Sequence, residues 1–176
     1  MNRATHKPPR TLDEFMVQAY WLEQDAVERY TTFADAMEVH NNREVAALFR
    51  TMAGYEGKHA QAILDQMGWK TPPALPPGGF DWGDDFEGPE AVPIEAVHYL
   101  MQPWHALSLA LKGEERAHRF FARLASEATV PAVKRAATEM ADEEREHVEL
   151  VRSWMTKVPR PDDDWREDPD PPRYTD

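Results

Sequence analysis

The chain has 176 residues, 41% of them hydrophobic, and a net charge of −12; that is enough apolar mass for one domain with a real core. It contains no cysteine, which excludes disulfides, zinc ribbons, rubredoxin-type iron sites and thiol catalysis. Segments 81–90 and 161–176 each carry −5, so the acidity belongs to a connection and a tail, and neutralising nucleic-acid phosphates in bulk is excluded.

The first ten residues form a polar arm without the apolar stretch of a secretory signal. No run approaches the roughly 20 apolar residues of a membrane span. The expectation is a cytoplasmic protein with neither membrane nor nucleic acid as a partner. A domain over 11–157 follows the arm.

A first helix is predicted to open at Thr11, where Thr11-Leu-Asp-Glu14 fits a capping box. Its apolar stripe runs Met16, Ala19, Ala26, Tyr30, Phe33, Met37 and is interrupted by Glu23. Burying an unpaired carboxylate is costly, so Glu23 is protonated, paired or bound to a cation, unless the stripe is rotated and Glu23 lies at its edge. A second helix begins at Asn41 or Asn42 and ends at Gly68. Its stripe of Val45, Phe49, Met52, Ala60, Ile63 and Met67 is interrupted by Glu56 and His59 together.

Residues 69–93 are rich in proline, glycine and acid and cannot be helical. They begin a crossover over 69–102. Twenty-five extended residues reach up to about 80 Å, whereas a helix of 26 residues is about 39 Å long. The crossover can therefore span a whole bundle and start the next helix at the opposite end. A short helix is expected over 94–101.

A third helix should run from about Pro103 to Ala128, with stripe Leu107, Ala110, Ala117, Phe121 and Leu124 interrupted by Glu114. The fourth follows a turn around Thr129 and Pro131. Its stripe of Val133, Ala137, Met140, Val148 and Val151 is interrupted by Glu144 and His147. Residues 158–176 form an acidic, proline-rich tail, expected to be disordered or draped on the surface. The fold class is all-α, a four-helix bundle with a long crossover between helices 2 and 3.

The halves repeat each other. Ala53-x-x-Glu56-x-x-His59 matches Ala141-x-x-Glu144-x-x-His147, and Glu23 with Tyr30 matches Glu114 with Phe121. In each helical hairpin one Glu faces one Glu-x-x-His pair at the same level. With 18 Glu and seven His, about one Glu-x-x-His is expected by chance. Four occur, so context must sort them. Glu95/His98 lies in the crossover without a partner helix and reads as accidental. Glu115 is rotated about 100° from Glu114 and should face outward. His118, four residues after Glu114, either approaches the site as a ligand or supporting group, or is a boundary histidine. Tyr30 is either a core aromatic or a hydrogen-bond partner of a ligand carboxylate.

Four carboxylates and two imidazoles in one dry bundle would repel strongly, and two divalent cations bring the charge of −4 to zero. The mixed O/N donor set suits Fe or Mn, with Zn a possible occupant.

At these residues the sequence resembles the ferritin-like superfamily, and within it the rubrerythrin-type di-iron domain. The resemblance covers residues 11–157, through Glu23-Gln-Asp-Ala-Val-Glu-Arg-Tyr30 on helix 1 and Glu114-Glu-Arg-Ala-His-Arg-Phe-Phe121 on helix 3. It implies a ferritin-like four-helix bundle holding two Fe ions. Glu23 and Glu114 would then be terminal ligands, Glu56 and Glu144 bridging ligands, and His59 and His147 one nitrogen ligand per metal. The implied activity is an oxidoreductase that couples Fe(II) oxidation to reduction of peroxide or O2. The alternatives are a metal-binding module without turnover and an iron-storage protein. The resemblance also implies a homodimer. Two departures from the family pattern stand out. Many rubrerythrins carry a further Glu three residues after the helix 3 ligand, a carboxylate that helps the iron shift during peroxide turnover, and here that position is Ala117. The fused rubredoxin domain is missing, so electrons must come from a separate donor protein or from substrate iron.

Overall fold

In the computed structural model, residues 9–80, 82 and 94–168 are described. Four long helices form an all-α, ferritin-like bundle: α1 (Leu12–Val39), α2 (Arg43–Met67), α3 (Pro103–Glu127) and α4 (Pro131–Met155). Three-residue turns join α1 to α2 and α3 to α4, so each pair is an antiparallel hairpin. The hairpins meet along α2–α3 and α1–α4. None of the described helices is long and apolar enough to cross a membrane.

The helix ends follow from local chemistry. Thr11 caps α1, its hydroxyl accepting from the Glu14 N–H at 3.1 Å. The return half of the expected capping box is displaced by one residue. Glu14 Oε2 accepts from the Arg10 N–H at 2.8 Å instead of from Thr11. Asn42 caps α2, accepting from the Val45 N–H at 3.4 Å. The other half of that amide donates to the carbonyls of Met101 at 2.7 Å and Tyr99 at 3.2 Å, which ties the first turn to the end of the crossover. Gly68 closes α2 in the left-handed conformation, φ 65°, where a side chain would be strained. Pro103 and Pro131 each open a helix at the position where a missing N–H costs nothing.

The short helix expected over 94–101 is reduced to a 3-10 turn, Ile94–Ala96. The backbone beyond it is engaged elsewhere. Asn42 takes two of its carbonyls, and His98 Nδ1 accepts from the Leu100 N–H at 3.2 Å. The first part of the crossover is held down by Trp21, whose indole N–H donates to the Pro73 carbonyl at 3.1 Å. Trp82, only 9% exposed, packs on Phe80 and Phe120. The remaining crossover positions, 81 and 83–93, lie outside the described residues.

Of the two forms expected for the tail, residues 158–168 take the draped one. Trp165 stacks on His105 with ring centres 3.7 Å apart, and meets His98 edge-on at 5.6 Å. Tyr99 donates its hydroxyl hydrogen to Asp168 at 2.5 Å. A partly buried indole offsets the ordering of this polar segment, which composition alone does not reveal. Residues 169–176 of the expected disordered tail lie outside the described residues, as do 1–8 of the arm.

The interior divides into two apolar clusters, and this division positions the site. One contains Phe15, Leu22, Ala60, Phe121 and Ala141. The other contains Ala26, Phe49, Met52, Ala110 and Val151. On every helix the buried carboxylate falls at the border between them. Glu23 lies between Leu22 and Ala26, Glu56 between Met52 and Ala60, Glu114 between Ala110 and Phe121, and Glu144 between Ala141 and Val151. A polar layer is thus clamped between two packed apolar ends.

Candidate metal centre

Helical spacing delivers each functional side chain to this layer. Glu56 with His59, and Glu144 with His147, are three apart and project from one face of α2 and of α4. Glu23 and Glu114 complete the layer from α1 and α3. The four carboxylates are nearly sealed from solvent, at 0–2% exposure, whereas the imidazoles of His59 and His147 keep 23% and 18% of their surface. The two rings stack, with centres 4.3 Å apart and planes 8° off parallel. The two Glu-x-x-His pairs therefore share one level of the bundle.

His59 Nδ1 lies 3.7 Å from Glu23 Oε2 and 3.6 Å from Glu56 Oε2. His147 Nδ1 lies 3.4 Å from both Glu114 Oε2 and Glu144 Oε2. Two trios of donors gather within 4.8 Å, Glu56–His59–His147 and Glu114–Glu144–His147. That is close to the span of about 4 Å between donors on opposite sides of one ion. Each histidine thus faces two carboxylates, and His147 in addition comes within reach of the Glu56–His59 pair. Glu23 is in neither trio, but its carboxyl lies beside those of the layer, against both His59 and Glu56.

The electrostatics are those of a site that needs a cation. Burial pushes the Glu23 carboxyl well above the usual carboxylate range, and the charges of Glu144, Glu56 and Glu114 push it the same way. Burial likewise raises Glu114 well above that range, against the opposing pull of His147 and with added repulsion from Glu56 and Glu144. Burial alone would lower the His147 imidazolium, but Glu114 and Glu144 outweigh it and raise it to about 11. Both oxygens of Glu23, and Oε2 of Glu114 and of Glu144, are buried with no hydrogen-bond partner. Orphaned carboxylate oxygens in a dry layer cost free energy unless an ion takes their lone pairs. Four carboxylates and two imidazoles fit two divalent ions in charge and in donor type.

The remaining sequence expectations find their places. Glu115 faces outward and accepts from the Arg152 guanidinium at 2.7 Å. His118 joins neither trio. Its Nδ1–H donates to the Ala141 carbonyl at 2.8 Å, bracing α3 against α4 one turn before Glu144. Tyr30 is 5% exposed, stacks on Phe49, and brings its hydroxyl to Gly113, the neighbour of Glu114. Ala117, where many rubrerythrins have a carboxylate, is fully buried and offers only a methyl group. Glu95/His98 is separated in role as well as sequence, His98 packing against Tyr99 and Trp165. Tyr55 and Trp154 carry no chemical signal in the sequence, yet their rings meet at 5.7 Å beside the centre. Nothing in their spacing distinguishes them from core aromatics.

The family model described as Rubrerythrin matches residues 14–72 and 105–171. No curated protein matches the chain. A crystal structure of an uncharacterized conserved protein from Magnetospirillum magnetotacticum MS-1 is 37% identical, with a TM-score of 0.62, covering 86% of this chain and 98% of its own. The matched segments contain all four helices' carboxylates and both histidines of the polar layer. The chain belongs to the rubrerythrin family.

Proposed function

We propose that this protein is a two-iron oxidoreductase that couples Fe(II) oxidation to reduction of peroxide or O2. The observation that carries the reading is the layer of sealed carboxylates with orphaned oxygens beside two stacked imidazoles. Glu56, His59, Glu114, Glu144 and His147 would hold the ions, with Glu23 completing the set through its position behind His59. When bound, the iron pair supplies the electrons that a small oxidant accepts.

The chain's own contribution is placement and exclusion. The apolar clusters above and below the layer keep bulk water away and hold the carboxylates where their charge attracts cations. The partly exposed edges of His59 and His147 make the α2–α4 side the face that a small oxidant meets first. Ala117 offers only a buried methyl group, so no further carboxylate is on hand there to follow an ion during turnover. Reducing equivalents would come from a separate donor protein or from substrate iron, and a homodimer is the proposed assembly.

Adding Fe(II) and then peroxide under anaerobic conditions tests this. Stoichiometric peroxide loss that repeats after re-reduction supports turnover. Metal retained with no loss of peroxide or O2 would instead leave a metal-binding module.

A further inference from the structure

Metal ligands this well sealed need an entrance, and the surface of α2 and α4 contains a suitable one. Among the described residues, two hollows touch the ligand layer from this side. The one over His147 is about 10 Å³ and is walled by Tyr55, Leu150 and Trp154, with only the ligands themselves supplying charge. The one over His59 is about 50 Å³. On this measure about 10–15 Å³ holds one water molecule, so the first is at the limit for a single water, whereas the second has room for an ion that keeps part of its hydration. Its outer wall carries the oxygen donors Gln66, Glu139 and Glu143, and its floor is His59.

We propose that the hollow over His59 is the route by which divalent cations reach the centre, with Glu139 and Glu143 as transient ligands on the way. The proposal rests on the metal-centre reading and adds two residues to it. Glu139 and Glu143 are four apart on α4, so their carboxylates sit one above the other on one face. Both are exposed, as an outer station requires. Two nearby cations are engaged elsewhere. Lys58 lies over the Tyr55 ring at 5.2 Å, and Arg145 pairs with Asp142 at 3.2 Å. At the inner end, Glu23 is fully buried with both oxygens unpartnered, 3.7 Å beyond His59 Nδ1. An ion moving inward therefore passes from exposed carboxylates, past an imidazole, to a carboxylate with vacant lone pairs. The hollow over His147 offers a cation no such sequence of oxygen donors.

The test is stopped-flow uptake of Co(II) by the chelator-stripped full chain, followed by the visible absorption of bound cobalt. Carboxylates lining an entrance raise cation on-rates by roughly 10- to 1,000-fold. The Glu139→Gln, Glu143→Gln double variant is therefore expected to load about tenfold more slowly or worse, with a weaker dependence on salt. Its final cobalt content and spectrum should equal the wild type's. Tyr55→Phe and Leu150→Ala, at the other hollow, should load at the wild-type rate. Equal rates for the double variant and wild type would overturn the route. So would an altered final spectrum or content, which would make these glutamates resident ligands. A wild-type chain that takes up no cobalt at all would overturn the metal centre itself, and this outcome is distinct from slow loading.

Discussion

Glu23 allows the sharpest perturbation, because its carboxylate has opposite effects in the metal-free and metal-loaded states of the protein. It is fully buried and neither oxygen has a hydrogen-bond partner. A buried polar group left unsatisfied costs about 1–3 kcal/mol, and replacing buried charged groups with apolar ones of similar volume stabilises by about 1–4 kcal/mol. Glu23→Leu should therefore stabilise the metal-free protein by roughly 2 kcal/mol. For a chain of this size, 1 kcal/mol moves Tm by about 2–4 °C, so the expected rise is roughly 4–8 °C. The same substitution removes a donor from the layer and should lower retained metal after gel filtration. The assay is thermal unfolding of chelator-stripped wild type and variant, paired with metal analysis of both after reloading. A metal-free Glu23→Leu protein less stable than wild type would refute the reasoning, as it would mean that Glu23 is satisfied without a cation. A raised Tm with undiminished metal would keep the burial argument and remove Glu23 from the centre.

Further outcomes follow from the same geometry. His147 belongs to both donor trios and His59 to one, so His147→Ala should lose more bound metal than His59→Ala; equal losses would contradict the shared position. Glu115 makes only a largely exposed ion pair with Arg152, so Glu115→Ala should leave metal content unchanged and cost no more than about 1 kcal/mol in chemical denaturation. Burial, with the Arg166 charge beside it, lowers the His105 imidazolium below its ordinary value. The protein therefore binds fewer protons at His105 with the tail docked than with it undocked. Tail docking is at full strength above about pH 6.5 and weakens as pH falls from there toward the lowered value. Hydrogen exchange over residues 158–168 should speed up, relative to α3, between pH 7 and pH 5, and slower relative exchange at pH 5 would contradict this.

Much of the bundle is legible in the sequence because helical periodicity is a local property. Glu23, Glu56, Glu114 and Glu144 stand out since each interrupts an apolar stripe of period 3.6, and a buried carboxylate is costly enough to demand an explanation. Thr11, Asn42 and Gly68 mark helix ends through bonds made within a few residues. What the sequence hides depends on segments far apart in the chain. His105 and Trp165 are 60 positions apart, and no local rule pairs them. Trp82 lies in a connection whose composition reads as loop, yet it packs on Phe120. His118 satisfies the spacing of a ligand on α3, but its direction is set by a carbonyl of α4. The reach of His147 into both trios likewise depends on how α2 and α4 approach each other, which periodicity leaves open.

The central claim is that the polar layer holds two metal ions. Metal analysis of the full chain, purified without chelators from iron-replete cells, tests it most directly. Two transition-metal ions per chain are expected, a content that falls when Glu144 is replaced by Ala and is unchanged when Glu115 is. Fewer than two ions per folded wild-type chain, or equal losses in the two variants, would contradict it.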